Sequence, residues 1–256
     1  MFFDDERWAV RAFTSGTAEA KMMERPALDR GHRGETAMNR SVIPFAFVLL
    51  MSPAIDGQQS KPPAKPDHLE HRFDDPATLA KSFDDPARDA WQMPDRVIGA
   101  LGLEPGMSVA DIGAGTGYFT MRLAAVSPGV TVYAADIEPK MVEYVKSRAA
   151  AEKRGNVVAV LAGMDSPRLP QPVDVVLVVD TYHHIANRTT YFAALRKALK
   201  PGGRVAIVDF RKDAPEGPPA HFRFTPAQIE EEMRRAGYTV AATHDFLPRQ
   251  HFIVFR

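Results

Sequence analysis

From Gly102 onward, short apolar runs rich in β-branched residues alternate with stretches of helical periodicity. The pattern predicts strands at 109–112, 130–135, 157–161, 173–179 and 204–210. Each is almost wholly apolar, as a strand must be when both faces of its sheet are covered. Helices are predicted at 118–125, 139–154, 189–199 and 226–236. The last of them opens with Thr225 and has Gln228 three residues on, a pairing in which each side chain satisfies a free backbone N–H of the other. Strand and helix alternating in this way make an α/β, doubly wound pattern. Only residues 163–172 separate the third and fourth strands, so a helix there must be very short or absent. The last two strands, 238–246 and 252–255, are joined by residues 247–251. Parallel neighbours need a dozen or more connecting residues, so these two must form an antiparallel hairpin. A mostly parallel sheet with one reversed strand at the end is expected.

Upstream the pattern changes. Phe73-Asp74-Asp75-Pro76 recurs as Phe83-Asp84-Asp85-Pro86. Asp before Pro sets a capping carboxylate ahead of a residue whose missing N–H costs nothing at the first helical position, so each copy reads as a helix start. Two such helices would make a small N-terminal lid; two copies ten residues apart are too few for a solenoid. Residues 61–66, Lys-Pro-Pro-Ala-Lys-Pro, read as a stiff, solvated linker. Before them, Asn39-Arg40 precedes an apolar run at 42–51 and then Ser52-Pro53-Ala54, spaced as at a signal-peptidase site. Ten apolar residues are too few to span roughly 30 Å of hydrocarbon as a helix, so a cleaved export signal fits better than an anchor. On this reading translation starts at Met38, residues 1–37 are a mis-assigned extension or a disordered tail, 38–66 are signal and linker, and 67–256 form the working domain. The location is then exported or periplasmic; the alternative is a cytoplasmic protein in which this segment is a buried helix interrupted at Pro44.

Composition narrows the chemistry. Among 256 residues, 45% are hydrophobic, enough to bury a core. Lys and Arg total 32 and Asp and Glu total 32, so no basic excess draws the chain to a phosphate backbone. There is no cysteine, which removes disulfides, thiolate metal sites and cysteine nucleophiles together.

Candidate chemistry gathers at the carboxyl ends of the predicted strands. Asp111-Ile112-Gly113-Ala114-Gly115-Thr116-Gly117 closes the first strand and opens a helix. Its glycines allow a tight turn and close ligand approach beside free helix N–H groups. The spacing is GxGxG, whereas a dinucleotide fingerprint wants GxGxxG and position 118 is Tyr. Asp136 ends the second strand, 21 residues after Gly115, where a carboxylate can accept hydrogen bonds from a ribose; the bland alternative is a cap ahead of Pro139.

These segments, followed by 174–184 and Leu199-Lys200-Pro201-Gly202-Gly203-Arg204, resemble in order the motifs of class I S-adenosylmethionine-dependent methyltransferases over about residues 90–256. Within that superfamily the chain is similar to the ubiquinone/menaquinone-type small-molecule enzymes. The resemblance implies a Rossmann-like, seven-stranded sheet of order 3-2-1-4-5-7-6 with an antiparallel last strand, and S-adenosylmethionine as cofactor. It implies that Gly113, Ala114, Gly115 and Gly117 lie beneath the methionine part, that Asp111 fixes this loop and the cofactor's amino group, that Asp136 binds the ribose and Ile137 packs on the adenine. Met164 and Asp165 match the adenine position, although Asp165 also reads as a turn residue before Ser166-Pro167. Asp180, Tyr182, His183 and His184 end the fourth strand and face the transferable methyl by the same resemblance.

Methyl transfer from a sulfonium is an in-line displacement, so the protein mainly aligns the partners and excludes water. A base is needed only if the acceptor must lose a proton, and a histidine of ordinary pKa about 6.5 can take it. Side chains alternate along an extended segment, so one of His183 and His184 at most should face the acceptor; the other reading has one histidine packing or capping while Tyr182 covers the cofactor. The segment after Asp180 lacks the prolines of nucleic-acid amino methyltransferases, the paired glutamates of arginine methyltransferases are missing there, and Glu230-Glu231-Glu232 reads as a solvated helix face. A small organic acceptor is the remaining expectation, with no nucleic-acid partner and no stable membrane span. Trp91, Tyr118 and Phe119 border the pocket, and Arg211, Lys212 and the Pro-rich 215–219 form a flap on the acceptor side. Rivals are a nicotinamide-dependent oxidoreductase and a non-catalytic S-adenosylmethionine-binding protein.

Overall fold

A computed structural model describes residues 75–126 and 129–256. The signal-like segment, the linker, and Phe73 and Asp74 of the first repeat lie outside them. No helix among the described residues is long and apolar enough to cross a membrane.

Three short helices come first: α1 (Pro76–Phe83), α2 (Asp89–Gln92, entered through a 3₁₀ turn at Pro86–Arg88) and α3 (Pro94–Ala100). Both expected aspartate caps form: the Asp75 carboxylate accepts the Thr78 N–H at 3.2 Å and that of Asp85 accepts the Ala87 N–H at 2.8 Å. Then follow β1 (Ser108–Ile112), α4 (Tyr118–Val126), β2 (Thr131–Asp136), α5 (Pro139–Ala151), β3 (Val157–Leu161), β4 (Val173–Val179), α6 (Arg188–Leu195), β5 (Leu199–Phe210), α7 (Pro226–Arg235), β6 (Val240–His244) and β7 (Gln250–Phe255). The seven strands form one sheet of order 3-2-1-4-5-7-6. β7 runs antiparallel to both β5 and β6, and every other pairing is parallel. As expected, no helix links β3 to β4.

The continuous apolar runs of β1, β2 and β4 find the cover that their composition requires, whereas the equally apolar β3, at the edge of the sheet, stays partly exposed. Val175, Val176, Leu177 and Val178 at the middle of β4 are fully buried, their side chains alternating between two cores. One core takes Tyr191, Phe192 and Leu195 of α6 with Ile229 and Met233 of α7. The other takes Val97 and Ile98 of α3 with Tyr118, Phe119 and Leu123 of α4. Each buried Val or Leu contributes about 1.5–3 kcal/mol, which is why register is tightly fixed here.

One boundary moves. Leu199, expected to close a helix, instead opens β5, because the helix stops at Leu195 and a 3₁₀ turn covers Arg196–Ala198. Pro201 cannot donate inside a helix, and Gly202 adopts φ +77°, so the β4–β5 register slips between the Val173–Leu199 and Val175–Arg204 pairs.

Candidate active site

The parallel strands β1, β2, β4 and β5 end on one edge of the sheet, and the polar groups meet there. Gly113, Gly115 and Gly117 turn with φ of +72°, +54° and +89°. At Gly113 the need for glycine is also steric, since a Cβ would overlap the Thr181 side chain just beyond β4. The N–H groups of Gly113 and Ala114 both donate to the Ala135 carbonyl at 2.8 and 3.2 Å, which fastens the turn to the end of β2.

Asp136, buried at that end, accepts the Gly115 N–H at 2.8 Å and the Glu138 N–H at 2.9 Å through different oxygens. Burial raises its pKa, against these two donors. It therefore holds the loop and the start of α5, and each oxygen keeps a second lone pair for a ligand hydroxyl. The Ala162 N–H donates to the Asp136 carbonyl, so the ends of β2 and β3 are tied together. Past those ends Ile137 and Met164 are 46% and 56% exposed, an unusual place for bare apolar surface, and Asp165 beside them is exposed. Asp111 lies deeper. Its carboxylate, 3% exposed, accepts Thr120 Oγ1 at 2.7 Å and so locks α4 against β1; burial pushes its pKa up to about 6.

Past β4 the chain departs from expectation. Asp180 sits at φ +51° and Tyr182–His184 wind into a 3₁₀ turn, so strand alternation does not govern the two histidines. Their ring centroids lie 4.1 Å apart. The His183 ring is buried with Nδ1 at 2.9 and 3.0 Å from the two oxygens of Asp209, which also accepts the His183 and Phe210 N–H groups. Asp209 was not foreseen, although a lone acid near the carboxyl end of an otherwise apolar strand was the available signal.

Tyr182 departs from the expected exposed position at the strand end. It is fully buried, stacked on Phe192 with centroids 5.6 Å apart, and its hydroxyl donates to Glu232 at 2.5 Å, so it packs as a core residue. Glu232 requires a correction, since it leaves the solvated face to receive Arg188 Nε at 2.5 Å and Nη2 at 3.0 Å.

Asp180 anchors a second polar cluster. It accepts Gln92 Nε2 at 2.9 Å and Gln250 Nε2 at 2.5 Å, with Arg88 Nη2 at 3.6 Å. Burial pushes its pKa up to about 6, and the charge of Asp209 adds to this. Arg88 and Gln92 come from the N-terminal helices, which lie across the glycine turn. Phe83 stands 3.6 Å from where a Gly115 Cβ would be, and Asp84 accepts Thr116 Oγ1 at 3.1 Å and Arg148 Nη1 at 2.9 Å. The expected lid is therefore present. The loop at 211–223 after β5 is braced from within, because buried Arg223 donates to the carbonyls of Pro218, Arg211, Lys212 and Ala214. No cluster of three metal-ligating residues occurs among the described residues.

This sheet order, the three left-handed glycines after β1 and the acid closing β2 define the class of S-adenosylmethionine-dependent methyltransferase folds. The chain belongs to the methyltransferase-domain family, which matches residues 103–245. It is 33% identical over 150 residues to 27-O-demethylrifamycin SV methyltransferase of Amycolatopsis mediterranei, covering 56% of this chain and 52% of that protein. To a demethylmenaquinone methyltransferase of Tropheryma whipplei it is 31% identical over 110 residues, 43% of this chain and 44% of the other. The chain thus spans about half the length of these relatives. With an uncharacterized methyltransferase of Geobacillus kaustophilus it shares 30% identity, covering 67% of this chain and 74% of that one. A solved S-adenosylmethionine-dependent methyltransferase from Aquifex aeolicus superposes with a TM-score of 0.65 at 26% identity, covering 71% of this chain and 97% of that one. The oxidoreductase alternative gains nothing from these relatives. S-adenosylmethionine fits the residues present: a glycine cradle, a buried acid with lone pairs to spare and exposed apolar side chains beside it.

Proposed function

We propose that this protein transfers a methyl group from S-adenosylmethionine to a small organic acceptor, with His183 receiving the proton that the acceptor gives up. The observation that carries this reading is the buried His183–Asp209 pair at the carboxyl ends of β4 and β5. Bound S-adenosylmethionine supplies an electrophilic sulfonium methyl. The work of the chain is to place and shield it. Gly113, Ala114, Gly115 and Gly117 give it a close-fitting backbone surface, with Asp111 locking the helix beneath; Asp136 receives the ribose hydroxyls, and Ile137, Met164 and Asp165 flank the base. Asp209, an acceptor only, takes the Nδ1–H of His183; this fixes the tautomer, leaves the Nε2 lone pair as the base and stabilises the imidazolium that forms. The N-terminal helices and the flap exclude water.

A small acceptor is supported by the names of the rifamycin and demethylmenaquinone relatives and by the even charge balance of the chain. Incubation with labelled S-adenosylmethionine and a cell extract identifies the acceptor through its labelled product. With it, His183→Gln should lower kcat about 10²–10⁴-fold while S-adenosylmethionine affinity stays unchanged. Undiminished turnover in both His183→Gln and His184→Gln rules out a histidine base. The exported location read from residues 38–54 belongs to the same proposal, and recovery of Met1 at the start of the mature natural protein overturns it.

A further inference from the structure

Two glutamines hydrogen-bond one carboxylate, and only one of them is satisfied. Gln92 donates Nε2 to Asp180 and its Oε1 receives Arg88 Nε and Nη2 at 2.9 and 2.5 Å. Gln250 donates Nε2 to the other oxygen of Asp180, yet its Oε1, in a residue 2% exposed, has no donor within hydrogen-bonding distance among the described residues. A carboxylate only accepts, so the Gln250 amide cannot flip to relieve this: its NH₂ must face Asp180 and its carbonyl must point away. A buried acceptor held unpaired costs free energy that an apolar residue at the start of β7 would not.

The surroundings say what such an acceptor receives. Gln250 pairs in register with Phe210 at the end of β5, and the Phe210 ring lies 5.8 Å from that of Trp91. These two rings offer flat apolar surface. The guanidinium groups of Arg88 and Arg249 stand 5.9 and 5.1 Å from the Trp91 ring, which disfavours a protonated amine. We propose that Gln250, oriented by Asp180, is a recognition residue for the methyl acceptor and takes the O–H of a hydroxylated aromatic ring packed by Trp91 and Phe210. This inference rests on the methyltransferase reading above. The ring enters while α2, which carries Trp91 and is held over the site mainly through polar contacts that water can replace, swings open, and it is packed by Trp91 and Phe210 once α2 closes again.

The test uses the full chain with saturating S-adenosylhomocysteine and two probes, catechol and its dimethyl ether 1,2-dimethoxybenzene, titrated by NMR while the Gln250 side-chain amide is followed. Catechol should shift that resonance saturably and bind about tenfold more tightly than the ether, the worth of one hydrogen bond to an otherwise unpaired buried acceptor. In Gln250→Leu the preference should fall to near unity with S-adenosylhomocysteine affinity unchanged. Should that variant fail to fold, the amide shift and the preference in the unaltered protein decide the matter. Equal binding of both probes, absence of saturable catechol binding, or a preference that survives in Gln250→Leu overturns the assignment. If S-adenosylhomocysteine itself fails to bind, the methyltransferase reading falls, and this one with it.

Discussion

Asp111 shows how a single side chain can stabilise and destabilise at once. Its carboxylate ties α4 to β1 through Thr120, but burial raises its pKa from the ordinary 3.8 to about 6. The folded state therefore binds the proton more tightly than the unfolded chain does. The stability this gives is fully present below about pH 3.8 and is lost as pH rises through about 6. At neutral pH the charged form costs up to about 3 kcal/mol. Asp111→Asn should accordingly gain stability relative to the unaltered protein by about 1–3 kcal/mol between pH 4 and pH 7, read from urea unfolding at each pH. A difference that does not vary with pH would mean that Asp111 titrates as in an open chain. Asp111 itself was readable as a site residue because it closes an apolar strand before a glycine turn. Its partner Thr120 was not, since nothing in a helical sequence says which hydroxyl will meet a buried acid.

Among the elements, the N-terminal helices differ most from the rest. α1 buries no residue and α2 buries only Gln92. They are held by Asp84 on Thr116 and Arg148, by Asp89 on Tyr118 and Arg122, and by Gln92 on Asp180. Such contacts exchange with water at modest cost, whereas opening the sheet exposes whole apolar side chains. Asp84→Ala should therefore speed amide hydrogen exchange in residues 76–92 several-fold, leave β1 and β4 unchanged, and raise the dissociation rate of S-adenosylhomocysteine. Equal acceleration in the sheet would show that the helices are integral to its stability. Capping predicted where α1 and the 3₁₀ turn that leads into α2 begin, because Asp-Pro is a local signal. Where they lie could not be predicted, because the side chains that hold them down come from residues 29 to 88 positions away.

For the whole molecule, a ligand that binds the folded state alone must raise its melting temperature. S-adenosylhomocysteine at about 100 times its Kd adds about 2.7 kcal/mol, worth roughly 5–10 °C for a domain of this size. NADH at the same concentration should leave the melt unchanged, and the reverse result would restore the oxidoreductase reading.

The sequence by itself determined the strands, because strands covered on both faces must be continuously apolar. It determined the reversed hairpin, because a five-residue link forbids a crossover, and the glycine turn with its acids, because backbone geometry and capping are local. Only the tertiary structure decided which polar groups meet. Tyr182 turned into the core on Phe192 and Glu232, His183 found Asp209 on the next strand, and Gln92 and Gln250 converged on Asp180 from opposite ends of the domain. The physical reason is range. Periodicity and capping act within a few residues, whereas a buried polar group is satisfied by whatever the fold brings within about 3 Å, regardless of its place in the chain.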